Sequence, residues 1–282
     1  MSQIPFEGYD FEKIKKEFNA VLSEVFDKDI EYAFFSGSVA YGGGIVKKSD
    51  IDIAIVLKEK EYSLSKFIDF GKHYIEINKK NNFVPDVTFP GEFLTPLLVS
   101  DAISGRGFSV KDNILYLPIA STEYYLADPE RWFRAWLSML TFSVFVTGSV
   151  SKFEEAKRNA WRTVLLFLFS TPQFRVVSLS DLTDMLSNGD NKWLGFGVTK
   201  NYCLFRDYET KIIKNTLVGL IQEGFIEESG GFYRPVRKAI NMWNYSVVQK
   251  IKDKSIRKAN FLIDLDNTNK ISNSFNVGRI GT

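Results

Sequence analysis

A single cysteine, Cys203, and a single histidine, His73, stand in 282 residues. One thiol closes no disulfide within a chain, so a reducing, cytoplasmic setting is expected, and the neighbours Tyr202 and Leu204 predict a buried, inert sulfhydryl. One imidazole gives His-based zinc sites and Ser-His or Cys-His triads little support. Long apolar runs are missing as well. The strongest, Val164 to Phe169, falls far short of the roughly 20 residues of a membrane span. Met1 to Tyr9 is too polar for a signal peptide, and no membrane partner is expected.

An excess of one charge is also lacking, with 36 Lys and Arg against 34 Asp and Glu. The two signs are unevenly placed. Through Val150 there are 16 basic against 21 acidic residues, a net of −5; the remainder holds 20 against 13, a net of +7. A site built from carboxylates suits the first part, and the basic second part suits a polyanion. At 45% hydrophobic and 25% charged, the composition is that of a globular chain, and its length predicts two domains.

The richest stretch begins at Tyr32 to Ser36, a short apolar strand that stops at Gly37-Ser38 and turns into a brief helical segment, Val39 to Tyr41. Glycine there lets backbone approach a ligand, and free N–H groups with the Ser38 hydroxyl suit phosphate oxygens. A loop of Gly42-Gly43-Gly44 with Lys47 and Lys48 leads to Ser49-Asp50-Ile51-Asp52. Asp50 and Asp52 open the β-branched run Ile51 to Leu57, a mostly buried strand. Side chains two apart on a strand share a direction, so both carboxylates project together at its start. Two anions held that close call for a cation, and magnesium prefers carboxylate oxygens, water and phosphate.

Gly37-Ser38, an eleven-residue gap and Asp50-Ile51-Asp52 resemble the signature of the DNA polymerase β-type nucleotidyltransferase superfamily. The stretch from Gly37 through Gly43-Gly44 to Asp52 is especially similar to aminoglycoside adenylyltransferases and minimal nucleotidyltransferase domains. The resemblance covers about residues 30 to 90. It implies a third carboxylate on a later strand, for which Val84-Pro85-Asp86-Val87-Thr88-Phe89 offers Asp86; Glu76 in Tyr74-Ile75-Glu76-Ile77 is the rival and is expected to face solvent. It further implies two Mg2+ ions bridged by Asp50 and Asp52, with Asp86 holding the one nearest the acceptor. ATP or another nucleoside triphosphate would be co-substrate, its β and γ phosphates held by Gly37 and Ser38 with help from Lys47 and Lys48.

The expected fold is α+β. Residues 1–122 would form a nucleotidyltransferase domain, 123–265 a mainly helical substrate or partner domain, and 266–282 a flexible tail. Phe11, Ile14, Phe18, Val21, Leu22 and Val25 recur at helical spacing. Strands are expected near 31–36, 51–57 and 84–89, with another at Ile114 to Ile119, and a helix over about Tyr62 to Lys80. Trp132, Trp136, Leu140 and Val144 predict a helical region over 122–148.

Beyond it come helices Glu154 to Phe169, Ser180 to Leu186 and Tyr208 to Glu223, a short stretch Arg175 to Leu179, and a hairpin around Gly230-Gly231. That order resembles a winged helix–turn–helix, with Leu217, Leu220 and Ile221 as its core stripe. It departs from one in the insert Asn188 to Arg206. Lys250, Lys252, Lys254, Arg257 and Lys258 make a later helix the more basic one.

Three functions follow from these readings. The first is adenylyl transfer from ATP to a small hydroxylated, antibiotic-like acceptor. The second is the same chemistry on tRNA or protein. The third is a nucleic-acid-binding regulator that keeps the fold without the reaction.

Overall fold

The computed structural model describes residues 8–40, 44–87, 90–96, 99–100, 110–111, 114–116, 139–170, 176–187, 207–236, 257–259 and 263–264. The chain is a mixed α/β structure. Helix α1 (Phe11–Val25) is capped by Asp10, whose side chain accepts from the Lys13 amide, and buries Phe11, Ile14, Phe18 and Leu22, the stripe its spacing predicts. Strand β1 (Ile30–Phe35), the one-turn helix α2 (Gly37–Ala40) and strand β2 (Ile53–Leu57) follow, then β3 (Tyr62–Ser63) and helix α3 (Leu64–Lys80). Next are β4 (Glu92–Leu94), β5 (Val110–Lys111), β6 (Ile114–Tyr116) and β7 (Val144–Gly148).

Helix α4 (Val150–Ser170), strand β8 (Val177–Ser178), helices α5 (Leu179–Ser187) and α6 (Asp207–Gln222), and strands β9 (Ile226–Ser229) and β10 (Phe232–Pro235) complete the larger elements. Short strands β11 (Arg257–Ala259) and β12 (Ile263–Asp264) pair parallel with β6 and β3, so Arg257 and Lys258, expected in a basic helix, stand in a strand instead, held by the ladder to Ile114 and Leu115.

The central sheet is mixed, in the order β4-β2-β1-β7. β1 runs antiparallel to β2 and β7, pairing Phe35 with Ile53 and with Val144, while β4 lies parallel to β2 with Glu92 opposite Ala54. Both faces are covered. Ala33, Phe35, Ile53, Ile55 and Leu57 pack under α1 and α3, and Tyr32, Phe34, Ala54 and Val56 join a second core with Phe153, Trp161 and Leu165 of α4. Every residue of β2 is accordingly buried, the pattern of a strand with apolar neighbours on both sides.

Two further expectations need correction. Residues 84–87 are irregular rather than a strand, and the parallel strand is β4, at 92–94. Pro85 has no N–H to give a ladder, whereas Glu92-Phe93-Leu94 follows directly on a turn at Gly91. Residues 88 and 89 lie outside the described set. The second correction concerns Val144, read as helical, which opens β7. Val144-Phe145-Val146-Thr147 is β-branched and aromatic throughout, and pairing with β1 outweighs a fourfold spacing that ended there. Trp132, Trp136 and residues 266–282 lie outside the described set. The sheet thus takes its fourth strand from beyond residue 122, the boundary read from sequence.

In the C-terminal part, α4 packs against α6, and β8, β10 and β9 form a second sheet in that order. Ile212, Ile213, Leu217 and Leu220 of α6 are buried in the same core as α4. The 226–235 hairpin closes at Gly230-Gly231, with the Gly231 amide donating to Glu228. The insert 188–206 is outside the described residues, as are Cys203 and Lys250 to Lys254. Among the described residues no helix is long and apolar enough to cross a membrane.

Candidate functional site

Strand polarity gathers the signature at one end of the sheet. Gly37 follows β1, Asp50 and Asp52 precede β2, and Glu92 opens the parallel β4. The ladder extends one residue past the strand proper, because the Ser36 amide donates to the Asp52 carbonyl at 3.0 Å. The Gly-Ser turn is thereby fixed against the second aspartate.

The fit at Gly37 is tight. Its φ is +64°, and a Cβ built there would lie 1.7 Å from Asp52 Oδ2 and 2.6 Å from Asp52 Cγ. Only a residue without a side chain both accepts that backbone angle and leaves the carboxylate its place. Ser38, half-buried, is the second residue of α2.

The stretch bearing Asp50 is laced to the stretch bearing Asp86. Lys47 N–H donates to the Asn82 carbonyl at 2.6 Å, and Val84 N–H to the Ser49 carbonyl at 2.9 Å. Ser49 also closes its own loop, its hydroxyl accepting from Ile45 N–H at 3.0 Å. Asp86 is half-buried and its charge acts on both aspartates. Asp50 is raised above the usual carboxylate range by burial first and then by Asp86, partly offset by a backbone N–H. Asp52 is pushed well up, by burial and then by Asp50, Glu92 and Asp86. The charges that move Asp52 are therefore acidic, a crowding of anions that a cation would relieve.

Glu92 is the functional candidate that sequence reasoning missed. Burial pushes its carboxyl up to about 7, and its Oε2 is enclosed with no hydrogen-bond partner. An enclosed carboxylate oxygen without a donor is costly. The available signal was an acid opening a three-residue strand just after Pro90-Gly91, hidden because Asp86 matched the motif first. Glu76 is exposed and, among the described residues, pairs with His73 on its own helix at 3.7 Å. Lys47 and Lys48 are exposed on their turn, and neither contributes to the shifts of the aspartates.

A cation fits this donor set chemically. The Asp50–Asp52 pair is carboxylate-only, Asp86 and Glu92 add to the same negative field, and one oxygen is orphaned. Among the described residues no three His, Cys, Asp or Glu side chains close around a single point. The arrangement is open, and magnesium commonly takes one or two carboxylates and fills its octahedron with water and phosphate oxygens.

A pH effect follows from Glu92. A carboxyl with a folded pKa near 7 and an ordinary unfolded one contributes stability fully present below about pH 4.5 and lost as pH rises through 7; Asp50 and Asp52 act in the same direction. Thermal melting without divalent ions is expected to be highest near pH 5 and to fall toward pH 8. Glu92→Gln should flatten that slope, and an unchanged slope in the variant would show that Glu92 is not the titrating group.

Comparison with protein-family models, with curated proteins and with solved structures finds no match to this chain.

Proposed function

We propose that this chain is a metal-dependent nucleotidyltransferase that moves a nucleoside monophosphate, AMP from ATP, onto the hydroxyl of a small acceptor and releases pyrophosphate. The observation that carries the reading is the packing of the Gly37 turn onto Asp52 at the sheet end where Asp50, Asp52 and Asp86 act on one another. A phosphate-sized turn and a carboxylate pair in contact are what a triphosphate site requires.

The acceptor oxygen attacks the α-phosphorus, the bond from that phosphorus to the bridging oxygen breaks, and pyrophosphate leaves with the electron pair. Divalent ions held by Asp50 and Asp52 would supply charge neutralisation at the attacking and leaving oxygens. Asp86, on the segment laced to the Asp50 loop, would accept the hydroxyl proton. The Ser38 hydroxyl and the backbone N–H groups after Gly37 would hold the β and γ phosphates. Lys47 and Lys48, both exposed, would meet pyrophosphate as solvated charges rather than as built ligands.

A second reading, transfer to tRNA or protein, draws on the C-terminal part. The order α4, β8, α5, α6, β9, β10 with a β8-β10-β9 sheet supports a winged-helix-like unit. Its hairpin carries Glu227 and Glu228 against a single Arg234, which pairs with Glu227 at 2.6 Å. That balance does not favour phosphate contact by the wing, so the small acceptor is the preferred substrate.

The test is incubation with α-labelled ATP, the other labelled nucleotides, magnesium, an aminoglycoside panel and total tRNA. Label on a small molecule supports the first reading, and label on RNA or protein the second. No transfer, with no triphosphate binding by calorimetry, leaves only a non-catalytic regulator.

A further inference from the structure

Helix α3 reaches the acid set from behind. Asn78, in its last turn, is fully buried, and its side-chain oxygen accepts from the amide of Ile51 at 3.1 Å, the residue between the two aspartates. Ile51 is itself fully buried, so no water can replace that acceptor. The Asn78 side-chain amide donates to the Tyr74 carbonyl at 2.9 Å, which fixes its orientation, and its own carbonyl accepts from Phe83 N–H at 2.8 Å. One turn back, the Tyr74 hydroxyl meets the backbone of Asp86. Two adjacent turns of one helix therefore grip both acid-bearing segments: Asn78 at Ile51 and Phe83, Tyr74 at Asp86.

We infer that Asn78 is a positioning residue for the Asp50–Asp52 pair, its side-chain carbonyl setting the backbone between them so that both carboxylates face one cation. This rests on the nucleotidyl-transfer reading. Side chains that orient ion-holding groups from behind commonly alter metal affinity 10–100-fold when removed.

Asn81, one turn on, is an internal comparison. It too is buried, but its side-chain amide donates to the Ile77 carbonyl and Glu17 and its oxygen accepts from Lys13, which ties α3 to α1; none of these side-chain bonds reaches the acid segments. Three variants of the full chain, Asn78→Ala, Asn78→Asp and Asn81→Ala, would be compared with wild type by amide hydrogen exchange at Ile51 without metal, and by Mn2+ titration followed by electron paramagnetic resonance.

Asn78→Ala should speed Ile51 exchange and weaken Mn2+ binding, each about tenfold or more. Asn78→Asp, held neutral by full burial beside other acids, keeps the acceptor and offers an O–H to the Tyr74 carbonyl, so it should keep the Ile51 protection, while Asn81→Ala should move neither readout. The inference is overturned if Asn78→Ala leaves both readouts at wild type, if Asn81→Ala moves both as far, or if Asn78→Asp loses the protection. The aspartate arm decides the matter even if the alanine variant does not fold. Absence of Mn2+ binding by the wild type would instead defeat the nucleotidyl-transfer reading, and this inference with it.

Discussion

Asp52→Asn is expected to lower pyrophosphate release by roughly 10²–10³-fold while raising the melting temperature at pH 7.5. The two effects have one cause. Asp52 sits where burial and three acidic neighbours all disfavour its charge, so removing the charge relieves the folded protein, on the order of 1–3 kcal/mol. The same charge is what would hold a cation against the triphosphate, and an amide is a far poorer ligand for magnesium. A coupled pyrophosphate assay and thermal melts at pH 5.5 and 7.5 read both quantities. The stability gain should shrink at the lower pH, because a carboxyl whose pKa is raised by burial and acidic neighbours carries less charge there. Full turnover in this variant would sink the proposed mechanism, and a lowered melting temperature would sink the electrostatic account of the site.

Gly37→Ala is expected to cost more in activity than in stability. The left-handed backbone angle accounts for roughly 1–2 kcal/mol of destabilisation. The new methyl would also fall 1.7 Å from Asp52 Oδ2, and the least costly response is rotation of that carboxylate, since its oxygen is the free end of a side chain. Rotation displaces the acid that the turn exists to accompany, and activity should fall by about 10²-fold or more, as displacement of about 1 Å at a reacting centre does. Gly224→Ala is the control. Gly224, just past α6, has φ +75° with nothing within 4 Å of a built Cβ, so it carries the backbone strain without the collision. A denaturation midpoint and a turnover number for each variant separate the two contributions. Equal activity loss in both would mean that Gly37 acts only through the fold.

Much of this site is legible from residues alone because its parts are local. Gly37, Ser38, Asp50 and Asp52 lie within sixteen residues, and a glycine at a strand end or acids at a strand start have few other uses. Helices α1, α3 and α6 were equally readable, since each carries an apolar stripe at helical spacing and α3 begins on a capping serine, Ser63. What was not legible depends on pairing across long separations. Nothing in Val144 to Thr147 announces that β1 will claim it. Glu92 looks like any surface acid until parallel pairing sets it beside Ala54. Asn78 reads as an ordinary polar residue near a helix end, and only the folded chain puts its oxygen on the Ile51 amide.

The position of β7 bears on how the molecule is assembled. β1 is an inner strand only because residues 144–148 return to it. A chain emerging N-terminus first, or one cut near residue 122, would already hold the turn and all four acids, yet present one flank of β1 as a bare row of amides and carbonyls. Such a flank invites pairing with a second unfinished chain. The segment that carries the turn and the acids is therefore not a severable fragment: its exposed flank is covered by a piece of sequence that arrives after it.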